Sequence, residues 1–256
     1  MSRFAANLTM LFREWPFLDR FDAAADAGFR LVECQFPYAA PADAVAARLA
    51  RNRLDLVMFN APVGDFEAGE RGYAALPDGF AAMQASVRAA VDYARTTGTP
   101  RIHLLSGKAD PSDPGAVAAY RRALGWAAAE MDRHGIGLLI EPLNRHDNPG
   151  YFLNDFRIAE RAIAALGSPG PRLQFDIYHR HIMHGDVLPA LERLMPLIGH
   201  IQIASLPDRH EPGTGELDDR AIVRTLDRLG YAGAIGCEYL PRAGTVDGLG
   251  WMQALA

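Results

Sequence analysis

Features that define several protein classes are scarce or missing in this chain of 256 residues. Two cysteines, Cys34 and Cys237, are too few for a disulfide framework. No stretch approaches 18 consecutive apolar residues, which excludes a transmembrane helix. The first 15 residues contain no apolar segment as long as the core of a secretory signal. We therefore expect a cytoplasmic protein without a membrane partner.

Positive charge is also scarce. Lysine and arginine total 26 against 31 aspartate and glutamate residues, which gives a formal net charge of -5, and Lys108 is the only lysine. Because nucleic-acid-binding proteins normally present a basic face, we expect no nucleic-acid partner. The content of 49% hydrophobic and 22% charged residues is that of a globular domain that needs no disulfides. The sequence is compatible with a homo-oligomer.

The chain does contain a regular alternation of short apolar runs and amphipathic segments. Eight apolar runs predict buried parallel strands at residues 4–7, 31–33, 54–60, 102–105, 137–141, 173–176, 198–203 and 234–239. Helical spacing of apolar residues predicts helices at residues 16–27, 42–51, 80–97, 115–134, 156–166, 187–195 and 220–229. This alternation predicts an α/β fold, either a closed (β/α)8 barrel or a doubly wound open sheet.

The segment after the first predicted strand separates these two folds. A dinucleotide-binding open sheet has a glycine-rich turn there, whereas residues 8–12 contain no glycine. We therefore predict a single TIM-barrel domain over residues 1–256, which is close to the roughly 250 residues typical of that fold. The irregular segment at residues 62–79 is long enough to predict a functional loop.

Polar side chains with oxygen atoms recur on four consecutive predicted strands, near the ends that carry the active sites of barrel enzymes. Each interrupts an otherwise apolar run: Glu141, Asp176, Gln202 and Glu238. Each alone could be a salt-bridged residue at the rim. Buried together, three carboxylates would require a cation, and an all-oxygen ligand set suits Mg²⁺ or Mn²⁺. We therefore predict that these four residues hold one divalent cation.

Charged residues that follow other predicted strands suggest contacts with a small anionic substrate. Arg209 and His210 follow the seventh strand, and an arginine fork suits a carboxylate; the alternative is a solvated rim arginine. Lys108 follows the fourth strand and is expected to attract anions. We expect His181 and His184 to be surface residues of a loop rather than zinc ligands, because no cysteine pattern accompanies them.

Longer motifs run through nearly the whole chain in order. They are RFAANL at residues 3–8, GD at 64–65, AGERG at 68–72, EPLN at 141–144, PGYF at 149–152, DIYH at 176–179, HIQIA at 200–204, RHEPGTGE at 209–216 and GCEY at 236–239. Together they resemble the hydroxypyruvate isomerase family of xylose isomerase-like barrels, which includes 2-oxo-tetronate isomerases. The resemblance implies a TIM barrel with one divalent cation, whose ligands match Glu141, Asp176, Gln202 and Glu238. It also implies that Glu141 and Glu238 form the acid/base pair and that His179 contacts the substrate.

The resemblance predicts the isomerisation of hydroxypyruvate to tartronate semialdehyde, or of 2-oxo-tetronate to 3-oxo-tetronate, by proton transfer through an enediolate. Gln202 is a mark of this branch, since the wider superfamily usually has histidine there. One departure concerns substrate choice: the family commonly has Thr-Arg-Asp where this chain has Arg145-His146-Asp147.

Other functions on the same barrel stay open. They are a ketose 3-epimerase, for which histidine would be expected in place of Gln202, and an inosose dehydratase-like lyase. A repair nuclease is disfavoured, because it would need a histidine-rich site for several zinc ions and a basic face, and the sequence shows neither. A non-catalytic sugar-acid binding protein could retain the ligands but would not exchange carbon-bound protons of its substrate with solvent.

Overall fold

The computed structural model describes residues 3–255. Contacts divide the chain into two compact units. Unit 1 comprises Met1–Val57 and Phe175–Ala256, and unit 2 comprises Met58–Gln174. The prediction of a single domain over residues 1–256 stays a prediction.

Within residues 3–255 the structure has nine strands: β1 (Phe4–Asn7), β2 (Leu31–Glu33), β3 (Asp55–Leu56), β4 (Phe59–Asn60), β5 (Arg101–His103), β6 (Gly137–Ile140), β7 (Arg172–Asp176), β8 (Ile198–Ile203) and β9 (Ile235–Cys237). In unit 1 the parallel order is β3-β2-β1-β9-β8, and in unit 2 it is β4-β5-β6-β7. The apolar strand residues are almost all buried, as expected of parallel strands covered on both faces.

The helices in the same range are α1 (Asp19–Asp26), α2 (Ala42–Asn52), α3 (Phe80–Thr97), α4 (Pro114–Asp132), α5 (Phe156–Leu166), α6 (Ile177–His184), α7 (Val187–Leu194), α8 (Asp219–Arg228) and α9 (Trp251–Leu255). Aspartate side chains cap the N-termini of α4, α5, α6 and α8 by accepting a backbone N–H. Within the described residues, no helix is both long enough and apolar enough to cross a bilayer.

Three sequence predictions differ from the structure. The run at residues 54–60 forms two strands, β3 and β4, with Val57 and Met58 between them. The histidines that we expected on a loop lie on or at the end of α6, which begins immediately after β7 because Asp176 both ends the strand and caps the helix. Sequence periodicity also missed α9, since five residues are too few to show it. The long segment at residues 62–79 is irregular, as predicted.

The register of unit 1 brings the ends of several strands together. Asn7 of β1 pairs with Glu33 of β2, and Gln202 of β8 pairs with Gly236 of β9. The polar residues at these positions therefore lie side by side on neighbouring strands, and they form the centre of the candidate site.

Candidate active site

Unit 1 buries three carboxylates in one hydrogen-bonded group, which we call the carboxylate network: Glu33, Asp176 and Glu238, with their side-chain donors. Glu33 and Asp176 are 0% and 1% exposed, and Glu238 is 6% exposed. Asn7 connects two of them, because its Nδ2 donates to Glu33 Oε1 at 2.9 Å and to Glu238 Oε1 at 3.4 Å. Gln35 Nε2 also donates to Glu238 Oε1, at 2.9 Å.

Glu33 receives two further donors from β8. Gln202 Nε2 donates to Glu33 Oε1 at 2.9 Å, and His200 Nε2 lies 2.6 Å from Glu33 Oε2. Since His200 and Gln202 are two residues apart on one strand, their side chains point to the same side. Both oxygens of this fully buried carboxylate are thus hydrogen-bonded, as a buried charge requires.

Arg209 joins the other two carboxylates. Its Nη2 donates to Glu238 Oε2 at 2.7 Å and to Asp176 Oδ2 at 3.0 Å, and its guanidinium lies 4.6 Å from the centre of the Tyr178 ring. The Arg209 side chain is 17% exposed, so it is the member of this ion pair that faces solvent. Its φ of 56° lies in the left-handed region, which is uncommon for a side chain of this size.

The electrostatics of the network are most visible at Glu238. Burial raises the pKa of its carboxyl to about 7; the Arg209 guanidinium opposes the rise, and the nearby carboxylates of Asp176 and Glu33 add to it. The Arg209 guanidinium therefore does not fully offset the effect of burial on the pKa of Glu238.

The donor set of unit 1 fits a hard divalent cation. Asp176 and Glu238 supply carboxylate oxygens and Gln202 supplies an amide oxygen, all on buried side chains. These are the ligand types that Mg²⁺ and Mn²⁺ prefer. A cation would favour the charged form of Glu238, whose pKa is raised by burial and by the neighbouring carboxylates.

Glu141 belongs to unit 2, where it directly follows β6. Its Oε2 accepts from Gln174 Nε2 at 2.9 Å and lies 3.6 Å from His103 Nδ1. His103 Nδ1 in turn lies 3.1 Å from Asn60 Oδ1. All four side chains are buried. Glu141 is therefore held by polar neighbours directly after β6, and its role as a cation ligand stays a prediction.

The residues predicted to contact substrate lie in different surroundings. His179 is buried in the first turn of α6, with Nε2 3.7 Å from Asp176 Oδ2. His210 adjoins Arg209 in the chain, but its Nδ1 lies 2.7 Å from the carbonyl oxygen of Leu240. Lys108 is exposed and lines a cavity of about 310 Å³ in unit 2 with Arg71.

Sequence reasoning missed the residues at the centre of each group. In unit 1 these are Asn7, Glu33, Gln35 and His200, and in unit 2 they are Asn60, His103 and Gln174. A signal was present for Glu33, because it ends a predicted strand in the same way as the four predicted ligands. For His200, the signal was its position two residues before Gln202.

Comparison with known proteins places this architecture in a family. A family model described as the xylose isomerase-like TIM barrel matches residues 21–255. This chain belongs to that family. This chain is 47% identical over 255 residues to 2-oxo-tetronate isomerase of Cupriavidus necator, and the match covers 99% of this chain and 98% of that protein. It is 41% identical over 255 residues to hydroxypyruvate isomerase of Escherichia coli, covering 99% of each.

A solved structure extends this likeness to three dimensions. The crystal structure of a protein named AP endonuclease, family 2, from Brucella melitensis matches with a TM-score of 0.93 and 40% identity, covering 99% of both chains. These findings confirm the predicted (β/α)8 fold class and the resemblance to the hydroxypyruvate isomerase family. They also confirm that this xylose isomerase-like barrel is an enzyme of isomerase type.

Proposed function

We propose that this chain is a divalent-cation-dependent isomerase of a small oxo acid, either hydroxypyruvate or a 2-oxo-tetronate. The full-length likeness to isomerases of such acids supports the reaction class. One observation carries the site: three residues matched to the family's ligands, Asp176, Gln202 and Glu238, lie buried in one hydrogen-bond network of unit 1.

The cation, Mg²⁺ or Mn²⁺, would be held by Asp176, Gln202 and Glu238 together with Glu141 of unit 2, the fourth residue that matches the family. Carboxylate and amide oxygens from buried strand ends support this assignment. When bound, the cation supplies electrophilic stabilisation of the negative charge that develops on the substrate oxygens.

Isomerisation of hydroxypyruvate moves one proton from C3 to C2 and a second proton from the C3 oxygen to the C2 oxygen. Glu141 and Glu238 are proposed to carry the carbon-bound proton: one carboxylate removes it from C3, which leaves an enediolate, and the protonated partner delivers a proton to C2. The reaction needs no external oxidant or reductant, since the carbonyl and the alcohol only exchange places.

Binding of the anionic substrate is assigned to an arginine, two histidines and the lysine that were predicted to contact it. Arg209 is the solvent-facing member of its ion pair and presents a planar fork suited to a carboxylate. His179 is proposed to hydrogen-bond a substrate oxygen beside Asp176. His210 and the exposed Lys108 are proposed to attract the anion.

A panel of three- and four-carbon oxo acids, with ketoses added, tests the proposed function. We expect turnover of an oxo acid that stops with EDTA and returns with Mg²⁺ or Mn²⁺. In D₂O, deuterium should appear on the carbon that receives the proton. Full activity in a metal-free preparation would contradict the cation site, and turnover of ketoses alone would favour a 3-epimerase.

The name of the Brucella protein favours one alternative, a nuclease that acts at abasic sites. The formal net charge of -5 weighs against it, because nucleic-acid binding depends on contacts between basic side chains and phosphates. An abasic duplex oligonucleotide provides the direct test. Cleavage that depends on Asp176 and Glu238, without turnover of any oxo acid, would replace the proposed function with this one.

A further inference from the structure

Glu33 is the most deeply buried charged residue of the carboxylate network, and no role is assigned to it among the cation ligands or substrate contacts. Its side chain is 0% exposed and accepts hydrogen bonds from Asn7, His200 and Gln202. A buried carboxylate is costly unless surrounding donors offset its lost hydration. Three donors meet that requirement here, one from the neighbouring strand β1 and two from β8.

The fold also makes space for this carboxylate. A Cβ atom on Gly236 of β9 would lie 2.1 Å from Glu33 Oε2 and 2.4 Å from Glu33 Oε1. With any residue other than glycine at this position, the Glu33 carboxylate would have to move. Because Gly236 pairs with Gln202 in the sheet, the space lies next to the proposed amide ligand. Hydrogen-bond donors therefore hold the Glu33 carboxylate in place, and the absence of a side chain at Gly236 leaves room for it.

A carboxylate can only accept hydrogen bonds, so it determines which way a neighbouring amide faces. Glu33 Oε1 accepts a hydrogen bond from Nε2 of Gln202, and the carbonyl oxygen of Gln202 therefore points away from Glu33. A hydrogen bond from the amide N–H to an anion also polarises the amide and increases the negative charge on its carbonyl oxygen. The same kind of carboxylate partner orients histidine ligands in many metal sites.

We infer that Glu33 is a positioning residue. It fixes the amide of Gln202 so that the carbonyl oxygen of Gln202 serves as a cation ligand, and it makes that oxygen a stronger ligand. The inference rests on the proposed function, because it requires that Gln202 binds the cation. A free amide has no fixed orientation, and the neighbouring carboxylate supplies one.

A double-mutant cycle on Mn²⁺ affinity tests this role. Free Mn²⁺ is measured by electron paramagnetic resonance for the wild type, Glu33→Gln, Gln202→Ala and the double variant. Glutamine at position 33 can donate as well as accept, so the amide of Gln202 loses its fixed orientation. We expect Glu33→Gln to weaken Mn²⁺ binding about 10- to 100-fold. In the Gln202→Ala background, Glu33→Gln should change Mn²⁺ affinity little further, because Glu33 is inferred to act on the cation only through the amide of Gln202.

A matched control separates this effect from general loss of a buried glutamate. Glu211 is also buried in unit 1 but hydrogen-bonds outside the network, so Glu211→Gln should keep wild-type Mn²⁺ affinity. Circular dichroism and melting of the metal-free variants establish that each is folded. Unchanged affinity in Glu33→Gln, or an undiminished effect in the Gln202→Ala background, would overturn the inference.

A measurement on the wild type covers the case in which Glu33→Gln does not fold. Selective ¹⁵N labelling of glutamine gives the side-chain amide signal of Gln202, assigned by its loss in Gln202→Ala. Both protons of the Gln202 side-chain amide should exchange slowly with water, and the signal should shift on saturation with Mg²⁺. A signal that does not change when Mg²⁺ is added would overturn the inference. If the wild type binds no Mn²⁺, the proposed function is overturned as well. If the enzyme is active with Mn²⁺ but the effects of the two substitutions on Mn²⁺ affinity simply add, only the role of Glu33 is overturned.

Discussion

Unit 1 contains two groups of buried carboxylates that are partnered in different ways. In the carboxylate network, side chains supply nearly all the donors, and each oxygen of Glu33, Asp176 and Glu238 has a hydrogen-bond partner. The second group, which we call the loop carboxylates, consists of Glu211 and Asp219. Each accepts one backbone N–H, and among the described residues its other oxygen has no hydrogen-bond partner.

The two groups also differ in what surrounds them. Glu211 and Asp219 line an open cavity of about 690 Å³. Their backbone donors, Arg242 and Gly213, belong to loops, and Asp219 itself is the first residue of α8. The network instead connects strand ends through side chains. Backbone N–H groups hold Glu211 and Asp219, whereas side chains supply most of the donors to the network, which we propose to be catalytic. The comparison predicts large effects on activity in the network and effects on stability in the loops.

The largest difference in kcat should come from the same substitution, glutamate to glutamine, made in the carboxylate network and in the loop carboxylates. Glu238→Gln keeps the size of the side chain and an oxygen ligand but cannot accept a proton. We expect kcat on the preferred oxo acid to fall by about 10²-fold or more. Glu211→Gln should retain wild-type kcat. Near-normal turnover in Glu238→Gln would refute proton transfer by paired glutamates.

A smaller loss is expected for Asp176→Asn. Asparagine retains the oxygen that caps α6 by accepting from the N–H of Tyr178, so the helix should persist. The lost charge should weaken Mn²⁺ binding by at least about tenfold. Titration calorimetry on the metal-free protein measures this, and unchanged affinity would show that Asp176 is not a ligand.

Substitution of the arginines tests recognition of the substrate. Arg209→Lys keeps the charge but loses the planar fork, so KM should rise about tenfold while kcat falls less. Arg242→Lys is the matched change beside the loop carboxylates and should leave KM unaltered. If KM of Arg209→Lys stays at the wild-type value for each active acid, the substrate carboxylate is bound elsewhere, with Arg145 and Lys108 as the next candidates.

The smallest effect concerns stability and pH at Asp219. Burial raises the pKa of this carboxyl to about 6; the N–H of Gly213 lowers it and the charge of Asp218 raises it. Because the folded state then holds the proton more tightly than the unfolded state, the stability of the wild type should fall as the pH rises from about 4 to 6. Asp219→Asn removes this loss, which we expect to be on the order of 1 kcal/mol. Urea unfolding at several pH values measures it, and parallel profiles for the two proteins would contradict the prediction.

Much of the fold followed from local patterns. The bounds of α3 and α5 match the predicted segments, and β1, β2 and β8 do as well, because long periodic segments and apolar runs ended by polar residues or glycine are strong signals. The helix α6 was missed since its eight residues begin without a loop after β7. The roles of the predicted site residues stay predictions, but Asp176, Gln202 and Glu238 do share one network.

The sequence by itself determined which residue types stand at the strand ends, because burial of a parallel strand demands apolar residues and makes each polar exception visible. It also determined the family, through motifs spread along the chain. Only the tertiary structure decided which polar groups meet. Glu33 faces Gln202 and His200 across more than 160 positions of the chain, and Gly236 leaves the space for its carboxylate. Hydrogen bonds between such distant residues depend on sheet register, and a register appears only when the strands have paired.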